Sequence, residues 1–174
     1  QVPGINDIKR SNRLLEKYCI GYLVNDPESL YLLNRNLQKV QLSIITVEDF
    51  IETDFLEVYK LITDSLEQDE YAPRDYVEMY LPDTISEAIE SGKENIETGE
   101  IKADKEISEV IRIILRMRRN RIDEHLNELL FAQNELNEDE HDLGYTYQSL
   151  ILEEIKLRKI IDDALQPPRT SGKL

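Results

Sequence analysis

The sequence predicts an all-α fold, in which a multi-helix globular bundle is joined through one long helix to a C-terminal antiparallel helical hairpin. Apolar residues recur at three- and four-residue steps through most of the chain. The stretch from Asp104 to Leu136 contains neither Gly nor Pro, so it is expected to form one helix of about nine turns. The turn-like run NEDEHDLG follows, and a last periodic stretch ends at Pro167.

The two halves of the long helix differ in apolar pattern. One stripe runs through both halves and consists of Ile107, Ile111, Ile114, Leu115, Ile122, Leu126, Leu129, Gln133 and Leu136. In the first half Val110, Ile113 and Met117 add a second apolar side, which predicts burial inside the bundle. The two halves therefore predict a helical bundle joined to a projecting helical hairpin, with flexible ends at 1–10 and 166–174.

Capping residues and prolines divide the chain before the long helix. Ser11 or Asn12 is expected to cap the first helix, which ends at Asn25. Its predicted apolar side consists of Leu14, Leu15, Tyr18, Tyr22 and Leu23. Asp26 and Pro27 then begin a second helix. Its predicted buried side consists of Leu30, Leu33 and Leu37.

The remaining bundle helices carry similar signals. Thr46 and Asp49 resemble a capping box for a short helix. A further helix is expected from about Asp54 to Gln68, with an apolar side of Phe55, Val58, Tyr59, Ile62 and Leu66. Pro73 begins the next helix, and Pro82 or Asp83 begins another. Gly92 and Gly99 flank a polar connection to the long helix. Roughly eight helices are expected in all.

The final helix is expected from about Tyr145 to Leu165. Its apolar stripe is expected to pack against the second half of the long helix, and it consists of Tyr147, Leu150, Ile151, Leu157, Ile161 and Leu165.

Composition excludes several functional classes. The chain carries 36 acidic and 21 basic residues, a formal charge of −15, which argues against direct nucleic-acid binding. No apolar run approaches the roughly 18 residues of a membrane span, and the first residues do not resemble a signal peptide. Cys19, the single cysteine, is expected to be buried and reduced, which favours a cytoplasmic protein.

No catalytic residue, metal site or cofactor is predicted. Carboxylates are abundant, but no pair stands out for acid–base chemistry, and no phosphate-binding glycine loop or hydrolase motif occurs. Glu138, Asp139, Glu140, His141 and Asp142 lie together, yet a solvated turn explains them better than a bound cation.

One stretch of this acidic chain is basic and is called the arginine block below. It consists of Arg112, Arg116, Arg118, Arg119 and Arg121. Ordinary surface pairs with Glu109 and Asp123 are the favoured interpretation, and docking of an acidic partner or a phosphate backbone is the alternative. Arg118 falls on the apolar stripe, which predicts contact with an acidic group where bundle and hairpin join.

Some apolar residues of the hairpin fall outside its predicted seam. These are Phe131 on the long helix and Tyr145, Leu152 and Ile155 on the last one. Because two helices cover only one seam, a surface for a partner protein is predicted there. Contact with the bundle or with a second copy is the alternative.

Three runs of sequence resemble a known pattern. They are LEKYCIGYLVNDPESLYLLNRNL (Leu15–Leu37), VEDF (Val47–Phe50) and FLEVYKLITDSL (Phe55–Leu66). The pattern is shared by the C-terminal helicase-interaction domain of bacterial DNA primase and the N-terminal domain of the replicative helicase. The run VIRIILRMRRNRIDEHLNELLFAQNEL (Val110–Leu136) resembles the long arginine-rich helix of the primase domain. The resemblance covers about residues 11–165.

The resemblance implies a binding role. In the primase family a helical body and hairpin contact the N-terminal domains of the hexameric replicative helicase, which recruits primer synthesis to the replication fork and modulates the helicase. Carried over, the resemblance places the bundle at residues 11–115 and the hairpin at 116–165. The expected contacts are Phe131, Tyr145, Leu152 and Ile155, with Arg118 and Arg121 as polar anchors. The parent chain would be a primase, a nucleotidyltransferase, whereas this segment would not itself be an enzyme.

Two alternatives remain open. The first is that the chain corresponds to the helicase's own N-terminal domain, which self-associates into a ring collar. The second alternative is a helical module that contacts nucleic acid through the arginine block. The acidity of the chain argues against this alternative.

Overall fold

The described part of the chain is all-helical, as the sequence predicts. The structure, a computed structural model, describes residues 5–90, 103–136 and 141–166, with side chains for 11–89, 105–136 and 142–166. Seven α-helices lie in these ranges: α1 (Ile5–Asn25), α2 (Ser29–Lys39), α3 (Thr53–Glu67), α4 (Pro73–Tyr80), α5 (Asp83–Glu90), α6 (Ala103–Asn134) and α7 (His141–Leu165). A 3-10 turn, Val47–Asp49, precedes α3. No helix in these ranges combines the length and apolar character that crossing a bilayer requires.

Several predicted boundaries need correction. Helix α1 begins at Ile5 and runs through Ser11 and Asn12, so neither residue caps it. Helix α7 begins at His141 instead of Tyr145. The polar connection at Gly92 and Gly99, the tail 167–174 and residues 137–140 of the predicted turn lie outside the described residues.

The chain divides into two compact units, residues 1–117 and 118–174. They are called the N-terminal unit and the C-terminal unit below. The boundary falls inside α6, close to the predicted boundary between residues 115 and 116, and α6 continues through it as one helix.

The N-terminal unit buries the predicted sides of its central helices. Helix α2 buries Leu30, Leu33 and Leu37, and α3 buries Phe55, Val58, Tyr59 and Ile62. The second apolar side of α6 is also buried, as predicted, through Val110, Ile113 and Met117. Removing these side chains from water supplies most of the driving force for folding this unit.

Helix α1 buries only part of the predicted face. Leu14 is 59% exposed, whereas Cys19, Ile20 and Leu23 are core residues. Gly21 lies on the same face, where an added Cβ would come within 3.0 Å of Ile89 Cγ2 in α5. The prediction failed because the buried face also carries polar residues, Asn12 and Glu16, which an apolar pattern does not count.

Glu16 joins α1 to the beginning of α3. Its side chain is only 2% exposed, and its two carboxylate oxygens accept hydrogen bonds from the backbone N–H groups of Ile51 (3.1 Å) and Glu52 (3.0 Å). Glu52 immediately precedes the first residue of α3. A carboxylate at this position satisfies amides that the helix cannot pair itself and faces the positive end of the helix dipole.

The segment between α2 and α3 is fixed by hydrogen bonds to both helices. Asn34 Oδ1 accepts from the Ile45 N–H (2.8 Å), and the Tyr59 hydroxyl donates to the Ile45 carbonyl (2.8 Å). The Tyr59 ring also packs against Phe50, with ring centroids 4.9 Å apart. The Asp49 carboxylate accepts from the Thr46 N–H (3.0 Å), as the predicted capping box requires.

Helix α2 ends in a Schellman motif that contains no glycine. The Leu42 N–H donates to the Leu37 carbonyl and the Gln41 N–H to the Gln38 carbonyl, which is the paired arrangement of this motif. Gln41 adopts a left-handed backbone conformation with φ of 62°. Non-glycine residues rarely adopt it because the Cβ crowds the following carbonyl.

Two tyrosines of α1 lie in surroundings that disfavour ionisation. Burial raises the pKa of Tyr18 above its ordinary 10.0, and Glu109 and Glu106 of α6 raise it further. Burial likewise raises the pKa of Tyr22. Because the folded chain holds these protons more tightly than the unfolded chain, this contribution to stability is present below pH 10 and is lost at higher pH.

Replacing Glu16 should destabilise the N-terminal unit. In Glu16→Gln one amide loses its acceptor, and we expect the free energy of unfolding to fall by about 2 kcal/mol, as for lost hydrogen bonds to a charged group. Urea unfolding followed by circular dichroism measures this loss in the free energy of unfolding. Glu57→Gln, which removes only the exposed pair with Lys60, should cost less than about 0.5 kcal/mol. Equal losses in the two variants would contradict a capping role for Glu16.

Gln41→Gly should stabilise the chain. Glycine adopts the left-handed conformation without crowding, and relief of this strain should exceed the entropy that glycine adds to the unfolded chain by about 0.5–1 kcal/mol. The same urea experiment measures this gain in the free energy of unfolding. Gln38→Gly, inside α2, serves as the control and should destabilise by about 1 kcal/mol. A destabilising Gln41→Gly would refute the proposed strain.

Candidate protein interaction surface

The C-terminal unit is built from the second half of α6 and from α7. Ile122, Leu126 and Leu129 of α6 and Ile161 of α7 are buried, and Ile151 is half-buried. The three α6 positions repeat at four- and three-residue steps, which is the spacing of a helix-to-helix seam.

Four charged residues form a network across this seam. Arg119 Nε donates to Asp162 Oδ1 (2.6 Å), and Arg158 Nη1 lies 3.1 Å from Asp123 Oδ1. Arg119 also lies 3.6 Å from Asp123, and Arg158 lies 3.7 Å from Asp162. The hydrogen bond to Asp162 raises the pKa of Arg119, so its guanidinium remains charged. The network fixes the register of the two helices at this level.

His125 and Glu154 form a further link, with 2.8 Å between Nδ1 and Oε1. The partners of Arg119, Asp123 and His125 are Asp162, Arg158 and Glu154 in that order. As the residue number increases along α6, the residue number of the partner on α7 decreases. This is the pattern of two antiparallel helices.

The buried face of α7 differs from the predicted stripe. Leu150 is 38% exposed and Leu157 is 40% exposed, so they are not buried in the seam as predicted. Glu154 and Arg158 pair across the seam with His125 and Asp123 of α6. Pairing of this kind makes partial burial of a charge tolerable, and an apolar pattern cannot detect it.

Two different sides of the helix pair carry exposed apolar residues. Leu130 follows Asp123 by two turns of α6, and Ile155 precedes Asp162 by two turns of α7, so both lie on the side of the charged network. Leu152 and Tyr145 project within about 80° of Ile155 around the axis of α7, and Tyr145 is 72% exposed. This set, Leu130, Tyr145, Leu152 and Ile155, is called the network face below.

The other side carries three leucines beside Glu154. Leu143, Leu150 and Leu157 follow one another at two-turn intervals and therefore share a face of α7. This set is called the leucine face below. Arg118 precedes His125 by two turns of α6, so it lies on this side also.

The six residues predicted to contact a partner therefore do not form one surface. Tyr145, Leu152 and Ile155 lie together on the network face, whereas Arg118 and Arg121, both half-buried, lie toward the leucine face. Phe131 is 69% exposed and projects from α6 on the side opposite buried Ile122, as Leu152 projects from α7 on the side opposite buried Ile161. All six remain predicted contacts, and three of them belong to the network face.

Four exposed residues escaped the sequence interpretation: Leu130, Leu143, Leu150 and Leu157. The predicted seam includes Leu150 and Leu157, and the predicted partner surface includes neither Leu130 nor Leu143. The two-turn spacing of Leu143, Leu150 and Leu157 is itself typical of a helix-to-helix seam, so apolar periodicity alone does not separate them from the seam residues.

The members of the arginine block differ in their ion pairs with the described residues. Arg119 pairs with Asp123, as predicted, and also with Asp162. Arg112 and Arg116 are exposed and make no ion pair with the described residues, so the predicted pair with Glu109 is absent there. No group of three or more His, Cys, Asp or Glu side chains in the described ranges is arranged to bind a metal ion.

Comparison of the chain with models of known protein families, with curated proteins and with solved structures gives no match.

Asp162→Asn should loosen the C-terminal unit. The change removes the charge shared by Arg119 and Arg158, and because these side chains are partly exposed we expect a loss of about 1 kcal/mol at low salt. Amide hydrogen exchange in α7 should accelerate about fivefold and less at high salt, where screening weakens the pairs. Asp163→Asn, an exposed neighbour, is the matched control and should change little. Identical exchange in both variants would show that the network contributes nothing.

Proposed function

We propose that this chain is a protein-interaction domain of bacterial DNA primase type, and that the network face binds the N-terminal domains of the hexameric replicative helicase. The bound helicase would bring primer synthesis to the replication fork. The parent chain would supply the catalysis. The partner and this role rest on the resemblance of Leu15–Leu37, Val47–Phe50, Phe55–Leu66 and Val110–Leu136 to the primase domain.

One observation supports a binding role above all others, namely the number of large apolar side chains left exposed on the C-terminal unit. Eight of them are exposed in its described residues: Leu130, Phe131, Leu143, Tyr145, Leu150, Leu152, Ile155 and Leu157. Grouped apolar residues on a surface are typical of sites where a partner binds. Aromatic residues such as Tyr145 often dominate the binding energy of such sites.

A second candidate is supported by the leucine face. Leucines at two-turn intervals are typical of a seam between helices of different chains. The face would then join copies of this chain, as expected of a collar-forming N-terminal domain of a replicative helicase. The mass of the chain in solution distinguishes the two, because self-association predicts an oligomer without any added partner.

Binding to the helicase should depend on the network face. We expect the full chain to co-elute with helicase N-terminal domains in gel filtration. Tyr145→Ala combined with Ile155→Ala should weaken binding at least tenfold, about 1.4 kcal/mol or more, because it removes two exposed apolar side chains from the proposed contact. Calorimetric titration measures the affinity, and circular dichroism checks that the helices persist.

Leu143→Ala combined with Leu157→Ala is the matched control, since it removes comparable exposed apolar area from the other face of the same helix. It should retain most of the affinity. A larger loss in the control would move the contact to the leucine face. Absence of binding by the unaltered chain would overturn the proposed function itself.

A further inference from the structure

A second exposed surface, on the N-terminal unit, has a distinct chemistry. Exposed apolar side chains lie along α2 and the segment after it, namely Tyr31 (62% exposed), Leu32, Val40 and Ile44. Exposed Arg35 and Lys39 lie among them on α2. These six residues are called the α2 patch below.

The parts of the α2 patch are held together by the fold. On α2, Tyr31, Arg35 and Lys39 follow one another at four-residue steps, so they share a side of the helix. The segment carrying Ile44 is attached to the same helix, because Asn34 Oδ1 accepts from the Ile45 N–H and the Leu37 carbonyl accepts from the Leu42 N–H. The patch is therefore a structured surface.

The charge of the α2 patch opposes that of the chain. Residues 29–47 contain no Asp or Glu, although the whole chain carries 36. Glu28 and Glu48 are the nearest acidic residues in sequence and stand outside the two ends of this stretch. Arg35 and Lys39 make no ion pair within the described part of the chain, whereas Arg13, Lys60, Arg119 and Arg158 each lie near a carboxylate.

We propose that the α2 patch docks an acidic, amphipathic segment of a partner protein. Apolar side chains of that segment would pack on Tyr31, Leu32 and Ile44, and its carboxylates would pair with Arg35 and Lys39. Charge complementarity selects such a segment, because a basic partner would gain nothing from these two cations. The four apolar members favour a protein over a phosphate backbone, whose binding depends on many cations. This proposal stands apart from the network face and from the identity of the partner there.

The test uses the full chain and a fluorescein-labelled amphipathic peptide of repeated Leu and Glu residues. A second peptide replaces each Glu by Lys, and a single-stranded DNA oligonucleotide is the third probe. We expect the acidic peptide alone to bind, with affinity falling as salt is added. In amide NMR spectra the signals of residues 31–45 should shift most.

Charge reversal provides the decisive comparison. Arg35→Glu combined with Lys39→Glu should weaken binding of the acidic peptide at least tenfold. Arg112→Glu combined with Arg116→Glu makes the same change of net charge at two exposed arginines of α6 that form no ion pair with the described residues, and it should alter binding less than about twofold. If the reversed patch proves unstable by circular dichroism, Arg35→Gln combined with Lys39→Gln replaces it.

Four outcomes overturn the proposal. They are equal binding of both peptides, equal weakening in the two charge-reversed variants, preferential binding of the oligonucleotide, and self-association of the chain that the patch variant abolishes. Each of these can occur whether or not the chain binds a helicase, so this test and that of the proposed function can fail separately.

Discussion

The carboxylate of Glu16 is the constraint on which the N-terminal unit depends. It lies almost wholly inside the protein and accepts the two backbone N–H groups at the beginning of α3. A buried carboxylate without partners would oppose folding, so α1 and α3 must meet in one register to satisfy it. That register also fixes the segment before α3, which Tyr59 and Asn34 hold from the other side through Ile45.

In the C-terminal unit, the register of α6 against α7 is set by pairs of charged side chains. Arg119, Asp123, Arg158 and Asp162 occupy the seam between α6 and α7, and His125 and Glu154 continue it. Such pairs add little net stability when partly exposed, but a shift of one helix by one turn would leave each charge beside the wrong neighbour. The polar seam therefore specifies the register, and it also displaces leucines toward solvent.

The sequence predicted what apolar periodicity encodes and missed what polar pairing encodes. The helical class, the long helix α6 and the buried sides of α2 and α3 follow from periodicity and were predicted. The burial predicted for Leu14 on α1 and for Leu150 and Leu157 on α7 was wrong, because Glu16 takes an inward position on α1 and Glu154 and Arg158 pair across the seam with residues distant in sequence. Exposure of Tyr145, Leu152 and Ile155 was anticipated, but their separation from Phe131, Arg118 and Arg121 depends on the register of α7 against α6.

Net charge explains how a chain can keep such apolar surfaces in water. At a formal −15, copies of the chain repel one another, and this repulsion opposes association through Leu130, Tyr145 or Ile155 in the absence of a partner. Residues 29–47, which include Arg35 and Lys39, contribute no carboxylate to this repulsion. Under the docking proposed for the α2 patch, these two cations would select partners that bring carboxylates of their own.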